Sequence, residues 1–289
     1  MWIVYAFSSA LFSGLTAILA KIGIRDIDSN VATAIRTVII VFFSWLVVFS
    51  IGSHTELAHI APKSLVFLIL SGLATGGSWL FYFKALQLGD VNKVTPIDKS
   101  SVILTMLLGM IILGEAVTPL KLIGLVGIGI GTYLMIDHKN TKQDTAHKVP
   151  ARRWMIYALL SALFASLTAI LGKIGIEGIE SNLGTAIRTV VVLLMAWLIV
   201  FITHKQHDIK TISKKNFLFL GLSGVTTSLA WLSYYHALQT GPASVVVPID
   251  KLSVVIAVLF AFIVLGEKLS IRAFIGLLLI ILGTLVLLV

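Results

Sequence analysis

The chain has 289 residues, 58% of them hydrophobic and 12% charged, with a formal net charge of +9 and no cysteine. Soluble domains are about a quarter charged, so a water-soluble fold is excluded first, and the lack of cysteine excludes a disulfide framework or a thiolate metal centre. In so apolar a chain the positive balance reads as loop charge of a membrane protein, not as a nucleic-acid footprint.

In chain order, the apolar segments fall near 2–22, 31–52, 64–88, 91–113 and 117–136, then near 154–174, 183–204, 216–240, 243–265 and 269–289. Each approaches the 17–25 residues that cross a bilayer as a helix, and stretches such as Thr37–Ser53 and Ala273–Val289 carry no Asp, Glu, Lys or Arg. The N-terminal Met1-Trp2-Ile3-Val4-Tyr5 lacks the basic region of a signal peptide, so the first block reads as a retained span. Residues 139–153 form a polar linker.

Shifted by 152 positions, the chain aligns with itself without a gap from Trp2 onward: Lys21 meets Lys173, Arg36 meets Arg188, Trp79 meets Trp231, Tyr82 meets Tyr234, and Pro96-Ile97-Asp98-Lys99 meets Pro248-Ile249-Asp250-Lys251. Large internal repeats are common in secondary transporters. Five spans are an odd number, so consecutive halves enter the membrane from opposite sides. The expected fold is an all-α membrane protein of ten transmembrane helices in two inverted five-helix repeats, 1–138 and 154–289. The odd-numbered connections carry thirteen basic residues, Arg25, Lys93, Arg153, Lys205 and Arg272 among them, against Lys63 and Lys121 in the even ones. The positive-inside rule then places both termini outside the cell.

The layout, together with Leu113-Gly114-Glu115 and Leu265-Gly266-Glu267 after the fourth span of each half and the Ala-Leu-Gln before it, resembles the EamA family of the drug/metabolite transporter superfamily. The resemblance implies ten helices, a central cavity between the repeats, and movement of small metabolites, typically export, in a bacterial or archaeal cell membrane. The sequence departs from the pattern where Val102 and Val254 replace a proline deep in the fourth span. Family members also keep both termini in the cytoplasm, opposite to the loop count.

A charge at mid-membrane costs about 2.5–3.5 kcal/mol on insertion scales, which makes an intramembrane ion a functional candidate. Asp98, Lys99, Asp250 and Lys251 are the foremost, expected at the repeat interface, with the carboxylates as proton-coupling sites and the lysines as holders of anions. Adjacent helix residues point about 100° apart, so Asp98 needs a partner other than Lys99. The structural alternative starts the fourth helix at Pro96 and puts these charges at the membrane surface. Arg36 and Arg188 are suited to bidentate grip of an anion, or to anchoring a neighbouring helix. Trp79 with Tyr82, and Trp231 with Tyr234, share helix faces and offer stacking surfaces, or simple packing. Lys84 faces His236 in the alignment and completes the candidate substrate-binding set.

Lys21 and Lys173 read as interfacial anchors, Gln87 and Gln239 as structural, and Glu115 and Glu267 as turn residues. Gly127 and Gly131 form a GxxxG that the second half, with Leu279, does not repeat. No metal constellation, Walker A motif or nucleophile elbow is present, so no cofactor and no enzymatic activity are expected. The reading is a secondary transporter that works as a monomer on a small solute, anionic or zwitterionic by the excess of bases, with no nucleic-acid partner. A membrane scaffold or binding protein without transport is the alternative.

Overall fold

The computed structural model describes residues 1–25, 27–135, 153–264, 266 and 270–288, the side chains of Asn92, Lys99, Lys210, Thr211 and Val264 excepted. Linker residues 139–152, Glu267 and the Lys99 side chain lie outside the described residues. The described residues form twelve α-helices: α1 (Trp2–Gly23), α2 (Ser29–Ile51), α3 (Pro62–Leu88), α4 (Val91–Lys99), α5 (Ser101–Ile112), α6 (Pro119–Met135), α7 (Arg153–Gly175), α8 (Ser181–Ile202), α9 (Lys214–Thr240), α10 (Ala243–Lys251), α11 (Ser253–Val264) and α12 (Ile271–Val286). Short 3-10 turns at Ser53–His59 and Gln206–Thr211 follow α2 and α8. Among the described residues, eight helical stretches are long and apolar enough to cross a membrane, and α6 and α12 are apolar but shorter.

Local chemistry fixes the helix ends. Asp28 accepts the Asn30 amide at 2.9 Å to start α2, and Glu180 accepts the amides of Asn182 and Leu183, each at 2.9 Å, to start α8. These caps occupy donors that the first turn of a helix leaves without partners. Gly52 ends α2 with φ 80°, a left-handed conformation that glycine adopts without the Cβ penalty.

Two of the expected spans are not single helices. Residues 91–113 divide into α4 and α5 at Ser100, and residues 243–265 divide into α10 and α11 at Leu252. Pro96 and Pro248 lie inside the first piece of each. A proline there removes a backbone donor and crowds the carbonyl four residues earlier. The turn after it tightens: the Ser100 amide donates to Ile97 O at 3.1 Å as well as to Pro96 O, and the Leu252 amide donates to Ile249 O at 3.0 Å. Bonds of this shorter span are the 3-10 pattern. The helix therefore starts at Val91, well before Pro96, and carries Asp98 inward instead of leaving it at a helix start.

Packing crosses the linker. α1 lies along α9, α3 along α7, α2 against α8 and α6 against α12. Each helix before the linker thus finds its main neighbour after it. In the last pair the contact is made by glycines spaced seven apart. A Cβ at Gly131 would stand 2.6 Å from Gly276 O, and one at Gly124 would stand 2.8 Å from Gly283 O. Gly124 aligns with Gly276 and Gly131 with Gly283, so this motif occurs in both halves. Gly127, half of the GxxxG noted in the sequence, is roomier: its Cβ would meet Gly283 Cα at 3.5 Å. Small residues let helix backbones approach closely, which is the main source of helix association in lipid. Large apolar side chains such as Phe42, Phe49, Ile111, Leu194 and Ile263 stay on the outside of the bundle.

Gly131→Ala should lower the thermal midpoint of the detergent-solubilised protein, with a loss of ~1–3 kcal/mol typical of overpacking. Gly127→Ala should leave it unchanged. Equal midpoints for the two variants would show that α6 and α12 do not meet through these glycines.

Candidate functional site

Between the halves lies a cavity of about 120 Å³, lined from α1, α2, α3, α4, α7, α9 and α10. Asp98 and Asp250 both reach it and are 7% exposed. Each is held by the helix that begins the other half. Ser161 of α7 donates to Asp98 Oδ1 at 2.6 Å. Ser9 of α1 donates to Asp250 Oδ1 at 2.5 Å, and Ser13 donates to the same oxygen at 3.3 Å. Ser9 and Ser161 are repeat counterparts, but Ser13 aligns with Ala165, so the second hydroxyl on Asp250 has no counterpart residue in the other half. Hydroxyl donors supply the hydrogen bonds that a buried carboxylate requires.

Arg36 and Arg188 are 1% and 2% exposed and are held in matching ways. Arg36 donates from Nε to Ser223 Oγ at 2.9 Å and from Nη2 to Thr227 Oγ1 at 2.7 Å, with its guanidinium 4.2 Å above the Phe83 ring. Arg188 donates from Nε to Ser71 Oγ at 2.9 Å and from Nη2 to Thr75 Oγ1 at 2.6 Å. It lies 4.1 Å over the Tyr235 ring and 4.9 Å from that of Trp231. Stacking on an aromatic face offsets part of the desolvation of a buried cation.

The sequence candidates separate by position. Asp98, Asp250, Arg36, Trp79, Tyr82, Trp231, Tyr234 and Lys251 share the cavity wall. Arg188 lies behind it, against a crevice with no room for water. Lys84 and His236 are not in the wall: Lys84 donates to Gln87 Oε1 at 2.9 Å, and His236 packs on Tyr5 with ring centroids 4.2 Å apart. They follow Tyr82 and Tyr234 by two residues, which turns them to another face of the helix. Trp79 and Trp231 meet across the cavity at 6.0 Å.

Sequence reasoning passed over the polar lining that holds these groups, notably Ser9, Ser161, Ser223 and Thr227. Small hydroxyl residues are common in apolar helices, and only their recurrence at matching positions of the two halves could have marked them.

Other polar residues secure helix ends. Lys21 donates to Leu86 O at 2.6 Å and Gly89 O at 2.9 Å, and Lys173 donates to Leu238 O at 3.1 Å and Gly241 O at 2.8 Å. Each lysine therefore closes the C-terminus of α3 or α9, where a cation is favoured. Gln87 and Gln239 donate to Ile27 O and Ile179 O at 2.7 and 2.6 Å. Glu115 does more than end a turn. Gly114, at φ 65°, swings the chain so that the Glu115 carboxylate accepts the amides of Ala243 and Ser244, each at 2.9 Å. It caps α10, the helix that carries Asp250.

A bundle of apolar helices around a charged internal cavity is the build of a membrane transporter. The chain belongs to the EamA-like transporter family, whose sequence model matches residues 1–137 and 152–289. It is an integral membrane protein. It is similar to a Sinorhizobium protein named "Uncharacterized transporter in cobO 3'region", with 42% identity over 134 residues, 46% of this chain and 95% of that one. It is also similar to an "Uncharacterized transporter" of Archaeoglobus fulgidus, with 24% identity over 287 residues, 99% of this chain and 97% of that one. A solved crystal structure superposes with a TM-score of 0.74 at 16% identity, covering 99% of this chain and 96% of the other, a likeness of fold.

Glu115→Ala strips two α10 amides of their acceptor. It should cost ~1–2 kcal/mol, the range for losing a helix cap, seen as a lower thermal midpoint, while Glu115→Asp recovers part of it. A midpoint unmoved by Glu115→Ala would remove this cap from the account.

Proposed function

We propose that this protein is a secondary carrier that exports small organic solutes by alternating access, driven by proton movement through Asp98 and Asp250. The observation that carries the proposal is the placement of both carboxylates in one cavity, each held by hydroxyls of the opposite half. A buried carboxylate that accepts hydrogen bonds from hydroxyls can take up and release a proton while those neutral groups stay in place. The serine contacts to Asp98 and Asp250 cross between α4 and α7 and between α10 and α1, so motion of one half against the other would remake them. That is the coupling a proton-driven carrier requires.

In this reading the chain forms ten spans in two inverted repeats, 1–138 and 154–289, joined by the linker 139–153. The Sinorhizobium relative supports it, since its matched length is that of one half. Loop charge favours termini outside a bacterial or archaeal cell. The solute sits among Asp98, Asp250, Arg36, Lys251, Trp79, Tyr82, Trp231 and Tyr234, with Lys99 as the counterpart of Lys251. Lys84, His236 and Arg188, outside the wall, would join it only in another conformation. The volume suits a compact molecule, since an apolar cavity of about 150 Å³ accommodates benzene. A single chain supplies the lining of the cavity, so a monomer is sufficient.

Reconstituted into liposomes, the protein should give saturable flux of at least one solute among amino acids, organic anions and aromatic cations. A pH gradient should accelerate that flux. Asp98→Asn combined with Asp250→Asn should abolish the acceleration. No saturable flux with or without a gradient would sink the carrier reading, whereas gradient-driven flux in the double variant would sink the proton role alone.

A further inference from the structure

The two arginines are held alike on their Nε and Nη2 atoms and differ in the ring beneath them. Nη1 of Arg36 is buried and without a hydrogen-bond partner, and Arg36 is the one arginine so left among the described residues. The rings beneath the two guanidinium groups are not the same. Under Arg188 it is Tyr235, whose hydroxyl lies beside Arg188 and Ser71 and donates to Thr168 O at 3.4 Å. Under Arg36 the counterpart is Phe83, which has no oxygen to offer.

A second pair of counterparts follows the same division. Gly172 makes room for the tyrosine: a Cβ there would run into the Tyr235 hydroxyl and stand 2.7 Å from its Cε1. In the other half that position is Ala20, which faces no hydroxyl at Phe83. The first half therefore has no ring oxygen beside its guanidinium, and the second has one. Arg36 lines the cavity, while Arg188 is walled off in its crevice. An unpartnered buried donor on a charged group is costly, and a ligand oxygen is the acceptor that would relieve the cost.

We propose that Arg36 is the anchor for a carboxylate on the transported solute, and that Phe83 with Ala20 keeps it open while Tyr235 with Gly172 closes its twin. The cavity then has one acid-binding end instead of two. The planar guanidinium fork binds a carboxylate through charge-assisted bonds, stronger than neutral ones. The proposal rests on the carrier reading for the word "transported", but the anchor itself is tested by binding alone.

The test uses the purified full-length chain in detergent and three probes that share a ring and differ in charge: phenylacetate, phenylacetamide and phenethylamine, at millimolar concentration by calorimetry. The native protein should prefer phenylacetate. Ala20→Gly with Phe83→Tyr, which copies the packing of the other half, should lower the ratio of phenylacetate to phenylacetamide affinity about tenfold, the worth of one hydrogen bond to a charged group. Arg36→Gln should erase the preference. An absence of acid preference in the native chain overturns the proposal, as does a preference undiminished in either variant. Acid-selective binding without liposome flux would leave the anchor standing and remove the carrier.

Discussion

A charge taken out of water must be matched by hydrogen-bond partners, and here those partners come from across the linker. Arg36 of α2 is held by Ser223 and Thr227 of α9, and Arg188 of α8 by Ser71 and Thr75 of α3. Asp250 is held by Ser9 of α1, and Asp98 by Ser161 of α7. Removing a partner from a buried ion is strongly destabilising, commonly several kcal/mol. Neither half can therefore fold around its own charged residues alone. The cross-packing of α1 with α9 and α3 with α7 follows from this constraint as much as from apolar contact, because lipid offers helices no hydrophobic gain on association.

The same exchange governs the helix that bears the carboxylates. α10 is only nine residues long, ends at a proline-tightened turn, and begins at amides that need acceptors. Glu115, from the other side of the linker, supplies them. An anionic cap at a helix N-terminus also meets the positive end of the dipole. The Leu-Gly-Glu that marks the family in sequence is thus tied to the cavity through backbone, with its glycine in the left-handed conformation that turns the carboxylate across.

Much of this was legible because the chain states its pattern twice. The repeat made Asp98 and Arg36 conspicuous, since an isolated charge in an apolar run is ambiguous and a matched pair is less so. Adjacency on a helix gave a reason to look for a partner of Asp98 in the other half, and Ser161 supplies a hydroxyl from there. The breaks after Pro96 and Pro248 were less readable: a proline can open a helix as easily as interrupt one, and choosing between them depends on what lies upstream. Lys84 and His236 were grouped with the aromatic pairs by proximity in sequence, yet two residues are slightly more than a half-turn of helix. The glycine contacts of α6 and α12 were overlooked because the four-residue spacing of Gly127 and Gly131 was more familiar than the seven-residue spacing of Gly124 and Gly131, which is the one both halves share.

Several differences between the halves around the cavity amount to a single atom, among them Ser13 against Ala165, Phe83 against Tyr235 and Ala20 against Gly172. Each exchange keeps volume and helix packing nearly constant while adding or removing one polar atom or methyl group. That is how a duplicated framework can retain its cross-linked geometry and still distinguish the two ends of a solute. A change at Ser223 or Thr227 would break the hold on Arg36 itself, whereas a change in the ring beneath it alters only what the guanidinium has left to bind. Specificity is then free to vary at positions whose loss costs little stability, because the strong interactions holding each arginine come from the other half and stay in place.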